Sequence, residues 1–313
     1  MEFTTLGRTG LQVSRMGLGC GGHSRLGQAT GRSEAESIEV VREALSLGIN
    51  FIDTAEGYRT EEIVGKAIRG TPRDQVVLST KVHVEKDGRR STPDEYRARV
   101  EACLKRLQVD CVDVLHIHGL SVDDYSYATE SLVPVLQDLR SEGKIRFIGV
   151  TEAFASDPGH AMFALASQDD FWDVIMVGFN VLNQSARDRV FPWTQSKAVG
   201  TLGMFAVRRA LSHPERLRTL IQELAASGAV EPTAFDLDDP LGFIVSEGAA
   251  SNVTEAAYRF CLWEPGLDVV LSGTGNVNHL RENAKYLSQP ALPPAMSQKL
   301  QDLFSGVDSV SGN

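Results

Sequence analysis

The sequence is poor in cysteine and has no long apolar run, and each absence excludes a class of protein. Its four cysteines include no Cys-x-x-Cys pair, and the first residues have neither the basic nor the apolar region of a secretory signal. Apolar stretches are broken by Gly, Asp or His before they reach the roughly 18 residues that a membrane span requires. We therefore expect a soluble protein in a reducing, cytoplasmic compartment.

Positive charge is also in short supply. The chain has 31 Lys and Arg against 41 Asp and Glu, a formal net charge of -10. The field of the whole molecule therefore opposes nonspecific binding to nucleic acid or to an anionic membrane, and we expect neither as a partner. An anionic ligand must be held locally, by a pair such as Arg89–Arg90 or Arg208 with Arg209, although short basic pairs are commonly solvated surface.

What the sequence does contain is a regular alternation of strand-like and helix-like segments. It begins with a hairpin in which residues 3–5 and 11–13 flank a turn that contains two glycines. Short apolar runs without strict alternation follow, as is typical of parallel strands covered on both faces. The predicted strands are residues 15–19, 50–53, 76–80, 112–117, 147–150, 174–177, 202–206 and 269–271.

Helices are predicted between these strands, and three of them have clear starts. Ser33, Thr92 and Asn252 each stand three residues before a glutamate, the spacing of a helix cap. Eight strands with intervening helices predict one (β/α)8 TIM-barrel domain over residues 1–313, with an insertion at 212–248 after the seventh strand. The runner-up is a doubly wound open sheet, but the glycines at 17–22 have the wrong spacing for a dinucleotide-binding turn.

Several polar residues fall at or just after the predicted strand ends. Asp53 ends the second strand, Tyr58 follows in the next loop, Lys81 follows the third strand, and His116 and His118 end the fourth. In a closed barrel these ends share one rim, so we expect the side chains to converge. Taken singly, each residue also has a purely structural explanation, as a turn cap, a solvated lysine or a packing tyrosine.

Together these side chains fit a proton-transfer unit. A phenol ionises near pH 10, but a neighbouring ammonium lowers its pKa, and a carboxylate keeps that ammonium charged. Tyr58, Lys81 and Asp53 supply these three parts. A nearby imidazole can donate a hydrogen bond to a carbonyl oxygen as negative charge develops there during reduction.

Seven segments, in their order and spacing, resemble the aldo-keto reductase family over nearly the whole chain. They are residues 5–14 (TLGRTGLQVS), 53–58 (DTAEGY), 79–81 (STK), 113–118 (DVLHIH), 143–150 (GKIRFIGV), 272–276 (SGTGN) and 281–283 (REN). The resemblance implies an NAD(P)H-dependent oxidoreductase that reduces aldehydes or ketones to alcohols. It places the catalytic tetrad on Asp53, Tyr58, Lys81 and His118, with Tyr58 as the general acid. For His116, on the same strand face as His118, we expect a buried supporting role.

The resemblance also implies a nicotinamide cofactor, bound extended across the carboxyl-terminal rim of the barrel. The expected cofactor-binding residues are Gly21, Thr151, Arg208, Gly273, Thr274, Asn276, His279, Glu282 and Asn283. Main-chain donors at the helix start after Gly273 suit a phosphate at the adenosine end. We expect NADP(H) rather than NAD(H). Family members that use NADPH commonly have Lys or Arg where Gly275 stands, so His279 or Arg281 would have to compensate.

The nicotinamide end departs from the family pattern. Residues 151–152 are Thr-Glu where Ser-Asn usually holds the carboxamide, Met176 replaces a Gln, and Val207 replaces the Tyr that stacks on the nicotinamide. Arg208 follows, and an isolated basic residue on this rim is expected to reach the cofactor's pyrophosphate.

Two other functions stay open. Gly275 favours an NAD-linked sugar or alcohol dehydrogenase, and the altered nicotinamide contacts favour a cofactor-binding regulatory or sensor subunit with negligible turnover. No metal is expected, because the histidines have no accompanying carboxylate pair of suitable spacing. The expected partner is a small-molecule carbonyl substrate, and the chain is expected to be a monomer, with an oligomer left open.

Overall fold

The computed structural model describes all 313 residues, and its centre is a closed barrel of eight parallel strands. A two-stranded hairpin, β1 (Phe3–Thr5) and β2 (Gln12–Ser14), precedes the barrel. A second hairpin, β6 (Glu85–Lys86) and β7 (Arg89–Arg90), follows its third strand. The barrel strands are β3 (Met16–Gly19), β4 (Phe51–Asp53), β5 (Val77–His83), β8 (Val112–Leu120), β9 (Ile145–Glu152), β10 (Val174–Gly178), β11 (Gly200–Met204) and β12 (Val269–Ser272). The predicted (β/α)8 barrel with its N-terminal hairpin is confirmed.

Helices lie in the connections between the strands, and 3-10 turns or one π turn add shorter pieces. The helices are α1 (Glu34–Ser46), α2 (Glu61–Ala67), α3 (Pro93–Leu107), α4 (Tyr125–Tyr127), α5 (Val133–Ser141), α6 (Ala161–Ala166), α7 (Ala186–Arg189), α8 (Phe191–Ser196), α9 (Arg209–Ser212), α10 (Pro214–Ala226), α11 (Phe243–Ser246), α12 (Val253–Leu262), α13 (Val277–Tyr286) and α14 (Pro294–Phe304). None of them is both long and apolar enough to cross a membrane.

Apolar side chains fill the amino-terminal half of the barrel interior. Phe51, Val77, Val114 and Leu202, from four different strands, are buried in one cluster. Leu6, between the strands of the first hairpin, is buried in the same cluster, so the hairpin closes this end of the barrel. The interior therefore has an apolar floor, and the ionisable side chains are left to the carboxyl-terminal end.

The helix starts expected from the sequence are confirmed. Ser33 and Thr92 each form a capping box, in which the cap and the glutamate three residues later exchange hydrogen bonds with main-chain N–H groups. The Asn252 side chain accepts a hydrogen bond from the main-chain N–H of Glu255. These caps fix where α1, α3 and α12 begin relative to the barrel strands.

The strands that carry the site extend further than predicted. β5 ends at His83, β8 at Leu120 and β9 at Glu152, whereas the predicted strands ended at residues 80, 117 and 150. Polar residues interrupt the apolar pattern there, but main-chain pairing continues, with His83 opposite His118. The predicted insertion after the seventh strand is present and contains α10 and α11.

Candidate active site

A buried ion pair joins two neighbouring strands at the carboxyl-terminal rim. The Lys81 Nζ atom lies 2.6 Å from Asp53 Oδ2 and also donates to the main-chain oxygen of Thr54 at 2.8 Å. The Ser79 hydroxyl donates to the other oxygen of Asp53 at 2.9 Å. Burial alone would lower the pKa of Lys81, but the Asp53 carboxylate and the Tyr58 phenol raise it above its usual value. Lys81 is therefore charged at neutral pH.

Tyr58 lies at the end of the 3-10 turn Glu56–Tyr58 and is in contact with both Lys81 and His118. The Lys81 ammonium is 4.9 Å from the centre of the Tyr58 ring, and the Tyr58 hydroxyl is 3.4 Å from His118 Nε2. Gly21, in the loop after β3, packs against the ring so closely that a Cβ at this position would overlap it. The predicted tetrad of Asp53, Tyr58, Lys81 and His118 thus meets in one place.

The pKa of Tyr58 moves in the direction opposite to the one expected. Burial raises it, and the Lys81 charge, which lowers it, only partly offsets the burial. The sequence-based expectation of a lowered pKa was wrong in its net direction, because the pattern of residues does not reveal how deeply the ring is buried. Tyr58 therefore holds its proton firmly at neutral pH.

His118 is a neutral imidazole in this environment. Burial lowers its pKa well below the usual value, and the Lys81 charge lowers it further. Its ring meets the Tyr58 ring edge to face at 5.4 Å. On its other side, the ring of His83 stacks on it at 3.9 Å. Sequence reasoning assigned no role to His83 in the site, although its position two residues after Lys81 on one strand indicates the same barrel face.

His116 is completely buried inside the barrel, two residues before His118. Gly149 on the adjacent strand makes room for it, since a Cβ there would overlap the imidazole. Burial, with the Lys81 charge, lowers the pKa of His116 well below its usual value. The expected buried position is confirmed, and the supporting role stays a prediction.

Two connected cavities run along the rim from Tyr58 to α13. The main cavity, about 650 Å³, is lined by six of the predicted site residues, namely Asp53, Tyr58, Gly21, Arg208, Gly273 and Thr274. The outer cavity, about 400 Å³, shares Gly273 and Thr274 with it and continues to three more, namely His279, Glu282 and Asn283. The two cavities therefore form one groove that runs from Tyr58 to α13.

Two of the predicted cofactor-binding residues do not line this groove, and their side chains form hydrogen bonds with main-chain groups of the protein instead. Asn276 caps α13, and its side-chain oxygen accepts hydrogen bonds from the main-chain N–H groups of Asn278 and His279. Thr151 is buried, and its hydroxyl oxygen accepts from the main-chain N–H of Gly119 at 2.7 Å. The hydroxyl group of Thr151 acts only as an acceptor in this hydrogen bond, so its proton can still be donated to another group.

Glu152, which stands where the family usually has Asn, forms a buried contact with His160. Its carboxylate lies 2.8 Å from His160 Nδ1, and both side chains are fully buried. The other carboxylate oxygen accepts from the main-chain N–H of Gly178 at 2.7 Å. Burial raises the pKa of Glu152, and His160 opposes this by stabilising the anion.

Arginines without carboxylate partners line one wall of the main cavity. Arg208 lies 3.9 Å above the Phe205 ring and donates to Asn313 at 2.8 Å, while its buried Nε has no partner. Arg209 donates a hydrogen bond to His23 at 2.6 Å, and both side chains line the cavity. Arg216 lies on the same wall, and none of the three arginines forms a salt bridge. This wall is therefore electropositive, although the chain as a whole is acidic.

Comparisons with known proteins agree on one family. The model of the "Aldo/keto reductase family" matches residues 16–303. The chain is 28% identical to L-galactose dehydrogenase of Arabidopsis thaliana over 92% of this chain and 89% of that protein. It is 32% identical to the NADH-specific methylglyoxal reductase of Escherichia coli, over 64% and 65% of the two chains.

Solved structures share the fold. An aldo/keto reductase from Klebsiella pneumoniae, in complex with NADP and acetate, superimposes with a TM-score of 0.68 at 22% identity, over 99% of this chain and 98% of that one. The family model matches most of the chain, and the closed barrel and the groove along its rim agree with that match. This chain therefore belongs to the aldo/keto reductase family of NAD(P)-dependent oxidoreductases.

Proposed function

We propose that Tyr58 is the general acid in the reduction of an aldehyde or ketone to an alcohol, with Asp53, Lys81 and His118 as its partners. The observation that carries the proposal is the contact between the Tyr58 hydroxyl and His118 Nε2, 3.4 Å apart, beside the buried Lys81–Asp53 ion pair. An oxygen placed against both groups would meet two hydrogen-bond donors at once. Residues 1–313 would act as one domain, as a monomer unless a sizing experiment finds otherwise.

Each of the four side chains has a distinct part in the reaction. Bound NAD(P)H supplies hydride to the carbonyl carbon. His118, being neutral, donates a hydrogen bond from Nε2 to the carbonyl oxygen, and Tyr58 transfers its proton to that oxygen. Lys81 stabilises the phenolate that remains, and Asp53 keeps Lys81 charged. In the reverse direction the Tyr58 phenolate would be the base.

The groove fits a dinucleotide. The partnerless Nε of Arg208 and the absence of a carboxylate near that guanidinium support a contact with the pyrophosphate. Gly21, Gly273 and Thr274 would flank the nicotinamide half, and His279, Glu282 and Asn283 the adenosine half. Thr151 and Asn276 would act indirectly, Thr151 through its hydrogen bond with the main chain of Gly119 and Asn276 by fixing the start of α13.

The preference for NADP(H) over NAD(H) stays a prediction, and the structure gives it little support. A Cβ on Gly275 would overlap the main chain of Gly27, so no basic side chain fits at this position. Arg281 is engaged by Glu43 at 2.7 Å and does not compensate. His279 is the side chain in the outer cavity that remains to donate a hydrogen bond to a 2′-phosphate. Separate titrations with NADPH and NADH, followed by fluorescence, measure the preference.

The second candidate is an NAD-linked sugar or alcohol dehydrogenase. The crowding of Gly275 by Gly27 favours it, since NAD needs no phosphate clamp there. The experiment that separates the candidates follows the reduced nicotinamide by absorbance, with purified protein and aldehydes, ketones or polyols as substrates. Faster reduction than oxidation at neutral pH supports the first proposal, and the reverse supports the second. Binding of the nucleotide without turnover in either direction would indicate a sensor instead.

A further inference from the structure

A third cavity, here called the hairpin cavity, opens on the other side of the catalytic groups. It has a volume of about 330 Å³ and lies between the end of β5, the β6–β7 hairpin and the loop that contains Asp124. Its lining includes His118 but not Tyr58, whereas the main cavity is lined by Tyr58 but not by His118. The border between the two cavities is therefore the Tyr58–His118 contact.

This arrangement separates the two reactants. If the dinucleotide lies in the main and outer cavities, a carbonyl group at the border between Tyr58 and His118 has the hydride donor on one side. The remainder of the substrate must then extend into the hairpin cavity. The chemistry of that cavity's wall consequently selects the substrate, and the inference rests on the proposed function.

Most of the side chains that line the hairpin cavity are polar, although apolar atoms contribute almost half of its exposed surface. Of its nine lining residues only Val84 is apolar, and Val84 is itself buried. Two ion pairs fix the base of the hairpin, Arg90 with Asp124 and Arg89 with Glu95. The polar side chains here offer hydrogen bonds that an apolar aldehyde could not use.

The tip of the hairpin carries charges that the protein leaves unpaired. Lys86 and Asp87 form no salt bridge, and both are exposed. Asp87 has a φ of 53°, a turn conformation that Asp and Asn tolerate. Adjacent charges of opposite sign suit neutral groups that both donate and accept hydrogen bonds, rather than an anion.

His83 is exposed and presents an acceptor to the hairpin cavity beside His118. Its ring stacks on His118 with an interplanar angle of 18°, and its Nδ1 lies 3.0 Å from the main-chain oxygen of His118. A carbonyl oxygen only accepts, so Nδ1 carries the proton and Nε2 carries a lone pair. Nε2 makes no hydrogen bond in the protein and lies next to Gly57, the residue before Tyr58. Partial burial of the ring lowers the pKa of His83.

We propose that the hairpin cavity binds the hydroxyl groups of a short, polyhydroxylated aldehyde or ketone. His83 Nε2 accepts a hydrogen bond from the hydroxyl next to the reacting carbonyl, and Lys86 and Asp87 bind hydroxyls further along the chain. His83 is then a specificity-determining residue. Its imidazole recognises the carbon adjacent to the one that is reduced.

Pairs of substrates that differ in one hydroxyl test the proposal. Hydroxyacetone is compared with butanone, and glycolaldehyde with propanal, so that a methyl group replaces the hydroxyl in each pair. The wild-type protein should have a kcat/KM about tenfold or more higher for the hydroxylated member. Equal kcat/KM values within each pair would overturn the proposal while leaving the proposed function intact. No reduction of any of the four would instead remove the proposed function.

The His83→Phe variant tests whether His83 is responsible for the preference for hydroxylated substrates. Phe keeps the stacking on His118 but has no acceptor, so kcat/KM for hydroxyacetone should fall about tenfold. The value for butanone should change less than about threefold, and NADPH binding should not change. His83→Asn, which restores an acceptor, should recover part of the preference. An equal fall for both ketones in His83→Phe would contradict the assignment.

Asp87→Asn gives an independent check that does not depend on the folding of the His83 variants. Asn tolerates the same turn conformation, and the position is exposed, so the fold is preserved. We expect a several-fold rise in KM for a longer substrate such as erythrose, with kcat unchanged, and no effect on hydroxyacetone, which is too short to reach the tip. An unchanged KM for erythrose would count against the part assigned to the hairpin tip.

Discussion

Tyr58 owes its position to a residue that has no side chain. Gly21 lies against the phenol ring, and any Cβ there would overlap ring carbons. The ring is thereby held between Gly21 on one side and Lys81 with His118 on the other. If Tyr58 is the proton donor, as we propose, its proton transfer depends on this placement to within a fraction of an ångström.

Gly21→Ala should therefore act on catalysis by displacing Tyr58. We expect kcat/KM for carbonyl reduction to fall about 10- to 100-fold, because small displacements of a reacting group have effects of this size. Gly306→Ala is the matched control, since a Cβ at that position would have its nearest neighbour 3.9 Å away. Steady-state kinetics of both variants measure the effect, and equal activities would show that Tyr58 tolerates the displacement.

Lys81→Met should separate the catalytic from the structural part of the ion pair. Loss of the charge that stabilises the phenolate should lower kcat about 10²-fold or more. The buried Asp53 carboxylate is left unpaired, at a cost of about 3–5 kcal/mol in the free energy of unfolding. In the double variant Asp53→Asn, Lys81→Met, stability should largely return while activity stays low. Recovery of activity in the double variant would contradict the role given to Lys81.

Sequence reasoning predicted that these four residues lie together, but not their electrostatics. Asp53, Tyr58, Lys81 and His118 could be predicted because a motif and the rule that barrel strands share one rim both indicate them. The raised pKa of Tyr58 could not, since it depends on burial by residues such as Gly21 that are distant in sequence. His83 was missed as a site residue for a related reason: its stacking partner lies 35 positions away, on the neighbouring strand.

At the scale of secondary-structure elements, the pairing of β8 with β9 places buried imidazoles inside the barrel. His116 fits there only because Gly149 on β9 has no side chain. The fold could be predicted well at this scale, since short apolar runs and helix caps are local signals. The ends of β5, β8 and β9 could not, because pairing with a neighbouring strand, rather than apolar pattern, sustains them.

The departure at Glu152 is also explained at this scale. Side chains alternate along β9, so Thr151 and Glu152 lie on opposite faces of the strand. Glu152 is held by a hydrogen bond with His160, which lies just before α6, and it does not line the groove. The substitution at 152 was visible in the sequence, but its partner eight residues later was not.

Buried neutral imidazoles predict a stability that depends on pH. The folded-state pKa of His116 lies well below its usual value near 6.5, so below about pH 6.5 the unfolded chain binds more protons than the folded one. The contribution of these histidines to the free energy of unfolding should be fully present above that pH. It should fall as pH decreases, by up to about 1.4 kcal/mol per pH unit for each such histidine. Denaturant titrations between about pH 7 and pH 5 should give a smaller slope for His116→Asn. An unchanged slope would mean that His116 is protonated in the folded state.

Over the whole molecule, the basic wall of the main cavity has the opposite sign to the net charge of -10. Arg208, Arg209 and Arg216 converge there from α9, α10 and the residue before α9. An acidic protein repels an anionic dinucleotide at long range, so a local cluster of guanidiniums is needed to hold it.

Arg208→Ala should weaken cofactor binding and change its response to salt. We expect the Kd for NADPH to rise about tenfold at low ionic strength, with a smaller dependence on salt than in the wild type, because a charge-assisted hydrogen bond is lost. Arg42→Ala, on the exposed face of α1 and away from the cavity, is the matched control. A Kd equal to that of the wild type would exclude a contact between Arg208 and the pyrophosphate.

The central claim is that the Tyr58 hydroxyl gives the proton that completes carbonyl reduction. Its most direct test is a Tyr58→Phe variant assayed for both NADPH binding and NADPH consumption with a good aldehyde substrate. In this variant we expect a Kd for NADPH within about twofold of the wild type and a kcat lower by about 10²-fold or more, because only the proton donor is removed. A kcat within a few-fold of the wild type would show that Tyr58 is not the proton donor.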